Sequence, residues 1–107
     1  MKIECHCGRM IFDGGVATPT KAHVLPDQSW DHLFEQVDEL IETECNTLAQ
    51  RHAALMKIRT LFSKAARRAW QCVGCGRIFL DGPDGVLHCY RPERSDDVVE
   101  VLRQATP

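Results

Sequence analysis

The sequence predicts a small α+β fold. A β element is assembled from both chain ends, an antiparallel helical hairpin is inserted between them, and a short helix closes the C-terminus. Three observations predict this. The phrase Cys-Gly-Arg, apolar run, Asp-Gly occurs twice, at Cys5–Gly15 (CHCGRMIFDGG) and Cys72–Gly82 (CVGCGRIFLDG). The segment between the copies, from Ser29 to Trp70, contains neither Gly nor Pro and carries apolar residues at helical spacing. Within it the charges are segregated, acidic first and basic second.

Residues 1–28 read as a first knuckle with a β-hairpin. Cys5-His6-Cys7-Gly8-Arg9 is followed by the apolar run Met10-Ile11-Phe12, the turn signal Asp13-Gly14-Gly15 and a second short run around Ala22–Leu25. An Asp-Gly pair suits a hairpin turn because Gly accepts positive φ. Ser29 then suits a helix N-cap, with Asp31 in the first turn behind it. Trp30, beside this cap, reads as a staple for the helix start.

Residues 29–70 read as the helical hairpin. Phe34, Val37, Ile41, Cys45, Leu48, Leu55, Ile58, Phe62, Ala66 and Ala69 recur in helical phase. One unbroken helix of this length would run roughly 60 Å, too long for a compact chain of 107 residues. From Asp27 to Glu44 the segment holds seven acidic residues and no Lys or Arg, and from Arg51 to Arg68 six basic residues and no Asp or Glu. Opposed charge along two helices favours folding them back on each other. Thr43, Asn46 and Thr47 are the poorest helix formers of the region, so the turn is expected at 43–47, with a dimer of long helices as the alternative. Residues 71–94 repeat the knuckle and hairpin: Cys72-x-x-Cys75-Gly76-Arg77, Ile78-Phe79-Leu80, an Asp81–Gly85 turn, and Val86–Tyr90. Residues 95–104 read as a Ser95-capped helix in which Val98, Val99, Val101 and Leu102, with Tyr90, close the core. The whole is expected to be a single domain by length.

Bulk properties narrow the function. Hydrophobic content of 44% and charged content of 26% are ordinary for a globular chain, and the formal net charge of −2 argues against a protein built mainly to grip nucleic acid. The N-terminus carries no apolar stretch long enough for a signal peptide, and no segment approaches a membrane span, so a cytoplasmic location with no membrane partner is expected. Six cysteines in a reducing compartment favour metal ligands over disulfides.

Zinc takes four thiolate or imidazole ligands, usually from two short turns that each supply a pair. The expected set is Cys5, Cys7, Cys72 and Cys75, holding a structural Zn²⁺. His88, Cys89 and His23 are the substitutes should Cys5 point away. Iron would use similar turns. A thioredoxin-like role for Cys72 and Cys75 would need a helix start after the motif, whereas Ile78-Phe79-Leu80 reads as a strand. Cys45, on the apolar helical stripe, reads as a buried thiol. The two knuckles resemble those of zinc-ribbon and rubredoxin-like proteins. The wider pattern, C-x-C-G, then KAHVLPDQSW ahead of a helix, then C-x-x-C-G-R, resembles small bacterial proteins. This resemblance implies a bacterial cytosolic origin and brings no activity with it.

No spacing of His, Asp, Glu or Cys matches a hydrolase or nuclease motif, so no catalytic residue is assigned and the chain is not expected to be an enzyme. His32 reads as a polar helix residue and His52 as a partly buried one. The expected function is a protein-binding module, of the immunity or antitoxin type, monomeric or homodimeric. Asp31, Glu35, Asp38, Glu39 and Glu42 would form its acidic contact face. The alternative is a nucleic-acid-binding or transcription-associated ribbon, using a basic patch of Arg9, Lys57, Lys64, Arg67, Arg68 and Arg77. Trp70 and Phe79 read as core residues in either case.

Overall fold

The computed structural model describes residues 2–15, 18–43, 45–94 and 100–105. The chain forms two compact units, one of Met1–His23 with Arg68–Pro107, the other of Val24–Arg67. Strands β1 (Lys2–Glu4), β2 (Met10–Phe12) and β3 (Lys21–Val24) precede helices α1 (Asp27–Thr43) and α2 (Leu48–Ala65). Strands β4 (Arg67–Gln71), β5 (Ile78–Asp81) and β6 (Leu87–Tyr90) follow. The architecture is therefore the expected α+β, with one two-stranded sheet, β1-β2, and one four-stranded sheet in the order β3-β4-β5-β6.

The duplicated phrase is duplicated in structure. β1 and β2 pair antiparallel with Ile3 facing Ile11. β4 and β5 pair antiparallel with Trp70 facing Phe79. Superposing the phrases on Cys5/Cys72 before the knuckle and on Cys-Gly-Arg after it makes these the same cross-strand pair. All four side chains are buried in one cluster with Cys5 and Cys72, and Cys75 and Leu87 pack against it. Each of these apolar side chains removed from water contributes roughly 1.5–3 kcal/mol, and Cys5 and Cys72 are part of that core.

The turn inside each of these hairpins is the knuckle itself, which changes the expected strand pairing of the first half. Asp13-Gly14-Gly15 does not join β2 to β3 as a hairpin, because β3 lies beside β4 instead. The Gln71 amide donates to the Thr20 carbonyl (2.8 Å) at that seam. In the second half the Asp-Gly segment does close a hairpin, β5 with β6, through the Gly82–Val86 bond (2.9 Å) and Gly85 at φ +75°.

The second unit is a helical hairpin. α1 ends at Thr43 and α2 starts at Leu48, where Thr47 is the N-cap. Its hydroxyl accepts from the Gln50 amide (3.1 Å), and the Gln50 side chain accepts from the Thr47 amide (3.1 Å), a complete capping box. Leu33 of α1 and Ala54 of α2 are its buried residues. Cys45 is half-buried in the connecting loop, its thiol directed at the Leu40 carbonyl, and so is not on the helical stripe.

Further expectations change. α1 starts at Asp27, so Ser29 lies inside its first turn and donates its amide to the Pro26 carbonyl (2.9 Å). Trp30 is 49% exposed and stands edge-on to Phe34, 5.1 Å between ring centroids, rather than buried as a staple. The helix ends at Ala65; Ala69, read in helical phase, and Trp70, placed at the end of the helical segment, are buried strand residues because pairing with β5 outweighs their weak helical preference. Tyr90 and His52 are exposed. The expected C-terminal helix falls partly on residues 95–99, which lie outside the described residues; 100–102 form a turn, with Val101 exposed. Among the described residues no helix is long and apolar enough to cross a membrane.

Candidate metal centre

The two knuckles are built alike. In the first, the Cys5 amide donates to the Arg9 carbonyl (2.8 Å) and the Gly8 amide to the Cys5 carbonyl (2.9 Å). In the second, the Cys72 amide donates to the Arg77 carbonyl (2.9 Å) and the Gly76 amide to the Cys72 carbonyl (2.9 Å). The bonding scheme is the same, with one residue fewer in the first loop. Gly8 and Gly76 occupy the same place, at φ +94° and +79°, a left-handed backbone that a side chain would strain. C-x-C and C-x-x-C are thus two lengths of one turn.

These turns bring four sulfurs together. Cys5, Cys7, Cys72 and Cys75 place their Sγ atoms within 4.8 Å of one another. The short contacts run between the knuckles: Cys5 to Cys75 at 3.4 Å and Cys7 to Cys72 at 3.6 Å. Exchanging the two copies of the phrase turns one of these contacts into the other, so the cluster has an internal twofold character. A tetrahedral ion with metal–sulfur bonds of about 2.3 Å needs its ligands about 3.8 Å apart. The sulfurs lie close to that spacing, and the four expected residues fit a metal. All six cysteines are free of disulfides.

The surroundings act on Cys5 and Cys75 in opposite directions. Burial pushes the Cys5 thiol up to about 12, assisted by its contacts with Cys75, Cys7 and Cys72 and opposed by the Cys7 backbone amide. Burial also pushes Cys75 upward, but the Arg77 amide, the Arg77 guanidinium (Nη1 to Sγ 3.3 Å) and the Cys5 and Cys7 thiols outweigh it and bring Cys75 down to about 6. Several adjacent thiolates in a buried cluster repel one another unless a cation neutralises them. Cys5 and Cys72 are fully buried, whereas Cys7 is exposed, so the cluster opens toward solvent on the Cys7 side.

The substitutes are placed elsewhere. His23, His88 and Cys89 are not members of the four-cysteine group. The His88 Nε2 pairs with the Asp84 carboxylate at 3.0 Å across the β5–β6 turn, Cys89 is exposed on β6, and His23 is exposed on β3. Cys72-x-x-Cys75 joins two strands and does not start a helix, so the thioredoxin-like context is missing. Two basic residues of the expected patch are engaged locally in the first unit: Arg77 on Cys75, and Arg68 on Asp81 (3.3 Å) and over the Trp70 ring. The five acidic residues expected to form a contact face, Asp31, Glu35, Asp38, Glu39 and Glu42, are all exposed on α1.

Sequence reasoning missed two supports of the site. Gln71, fully buried beside Cys72, donates from Nε2 to the Gly76 carbonyl (3.2 Å) and braces the second knuckle. Asp13, the Asp of the first repeated phrase, pairs with Lys21 at 2.8 Å, and Lys21 lies over the Trp70 ring. The repeat was the available signal for Asp13, since its counterpart Asp81 pairs with Arg68 in the same manner.

Residues 1–94 match the model of a protein family described as a domain of unknown function, DUF8617. The chain belongs to the DUF8617 family. That match spans both knuckles and the helical hairpin, so cluster and insert are parts of one family domain. No curated protein and no solved structure matches the chain.

Proposed function

We propose that this chain is a non-enzymatic protein-binding module whose β unit is closed by one structural Zn²⁺ on Cys5, Cys7, Cys72 and Cys75. The four-sulfur cluster carries the reading. Four protein thiolates fill a tetrahedral shell and leave no position for water or substrate, the mark of a structural rather than a catalytic zinc. Zinc is preferred to iron because the site needs no redox partner to explain it, and four thiolates at this spacing suit it.

The contact element of the module is α1. Its exposed acidic residues, Glu35, Glu39 and Glu42 foremost, would meet a protein with a basic surface and speed the encounter. A partner that acts on nucleic acid presents such a surface, which is the immunity- or antitoxin-type form of this reading. The test is capture of partners from the native host by the zinc-loaded chain, after nuclease treatment, beside Glu35→Lys with Glu39→Lys. A protein retained by the native chain and lost from the charge-reversed one supports the reading. Capture that disappears with nuclease treatment would replace it with the nucleic-acid alternative.

A further inference from the structure

The α1/α2 hairpin has one apolar face that its own two helices leave open. On α1, Trp30, Phe34, Val37 and Ile41 follow one another in steps of four, three and four residues. On α2, Leu55, Ile58 and Phe62 follow in steps of three and four, with Leu48 one heptad ahead of Leu55. Such steps mark a seam for another helix. They lie beside the inner seam that holds Leu33 and Ala54, so each helix is apolar over an arc wider than one neighbour covers. Both outer seams come to the same side: Ile41 of α1 lines a groove of about 320 Å³ together with Ala54, Leu55 and Ile58 of α2, and Cys45 and Arg51 complete its lining at the loop end, where the Arg51 guanidinium donates to the Cys45 carbonyl (3.3 Å). Ile41 is 54%, Leu55 55% and Leu48 84% exposed. The groove on the opposite side is rimmed by Gln36, Glu39, Thr43, Lys57 and Lys64 and is mixed in character.

Charge selects what covers this face. Asp38 stands four residues after Phe34 and three before Ile41, at the edge of the α1 seam; Arg59 stands four after Leu55 and three before Phe62, at the edge of the α2 seam. α1 has no Lys or Arg, and α2 no Asp or Glu. A covering helix over α1 should therefore be basic at its seam edge, and one over α2 acidic. A second hairpin of the same sequence meets both demands when a twofold axis runs along the helices. Each α1 then packs on the other copy's α2, every neighbouring pair is antiparallel, and the interface closes on itself. The other twofold, across the helices, would set α1 on α1 and Asp38 near its own copy.

We propose that the apolar face of the α1/α2 hairpin is closed by a second copy of this chain, forming a four-helix bundle in which acidic α1 of each copy packs on basic α2 of the other. The outward acidic residues Glu35, Glu39 and Glu42 stay free of this interface, so the dimer carries two copies of the contact element.

Sedimentation velocity and light scattering on the full zinc-loaded chain test this, at about 100 µM, a hundredfold above a micromolar Kd. The expected mass is twice the 12.1 kDa of the chain. Ile41→Asp with Leu55→Asp, at positions already half exposed, should yield a monomer with unchanged zinc content and helical circular dichroism. Asp38→Arg should weaken the dimer roughly tenfold at low salt, and adding Arg59→Glu should restore it. A monomeric native chain would overturn the proposal, leaving the face to a different protein or to the chain's own segments. A dimer strengthened by Asp38→Arg alone would overturn the α1-on-α2 arrangement.

Discussion

At the scale of single residues, the knuckles separate backbone demands from side-chain demands. A Cβ on Gly8 would meet nothing within 4 Å, yet its φ is +94°. Gly8→Ala should therefore cost about 1–2 kcal/mol from the backbone alone, read as a shift in the urea midpoint of the zinc-loaded protein. A Cβ on Gly74 would lie 2.7 Å from the Arg9 Cδ, the movable part of a flexible chain on the other knuckle, and φ there is not left-handed. Gly74→Ala should therefore cost less than Gly8→Ala, and the reverse order would refute this account of the turns. Gln71→Leu removes the donor to the Gly76 carbonyl and should cost about 1–3 kcal/mol. Asp13 adds a pH dependence. The Lys21 ammonium, with a lesser contribution from Trp70, holds its carboxyl below the usual range. Its folded pKa is thus depressed, so the stabilisation is complete above the ordinary carboxylate pKa and is lost as pH falls through the folded value. The gap in urea midpoint between the native chain and Asp13→Asn should be open at pH 7 and close toward the acid end. A gap that does not change with pH would rule out the ion pair as its source. The cysteines were legible because chemistry repeats their spacing, whereas Gln71 was not, since a lone polar residue in a strand carries no signal of its burial.

At the scale of elements, charge segregation and poor helix formers located the break between α1 and α2, and the Thr47–Gln50 capping box explains why it falls there. Thr47→Ala should lower stability by about 1 kcal/mol, whereas Thr43→Ala, whose hydroxyl only returns to the Glu39 carbonyl (2.7 Å) within its own helix, should cost less. Comparative urea unfolding of the two variants decides the order. The strands were less legible. β4 was hidden because Arg67-Arg68-Ala69-Trp70 continues the helical phase of the preceding residues, and only its partner β5 makes it a strand. β3 was assigned to a local hairpin because Asp-Gly-Gly promises a tight turn, but its place in the sheet is set by β4, more than forty residues later in the chain. Turn chemistry reports local geometry, and non-local pairing can use the same residues otherwise.

At the scale of the whole molecule, segments from both ends of the chain fold into one β unit whose core includes Cys5 and Cys72 of the cysteine cluster, and the helical hairpin is an insertion between the two copies of a single motif. Such a small core gains much from a staple that ties distant parts of the chain. If the cluster holds zinc as proposed, removing it with a chelator should therefore unfold the β unit, lost as near-ultraviolet signal from the buried Trp70, before the helical signal falls to the same extent. Retention of the Trp70 signal after complete zinc removal would show that apolar packing alone suffices. The central claim is that the two copies of the phrase are two halves of one clamp. Zinc content per chain by elemental analysis tests it most directly, on the native protein, on Cys5→Ser with Cys7→Ser, and on Cys72→Ser with Cys75→Ser. The account predicts about one zinc per native chain, as a four-thiolate site requires, and loss of that zinc from both double variants alike. A native chain without zinc, or a first-knuckle variant that keeps its zinc at full affinity, would contradict it.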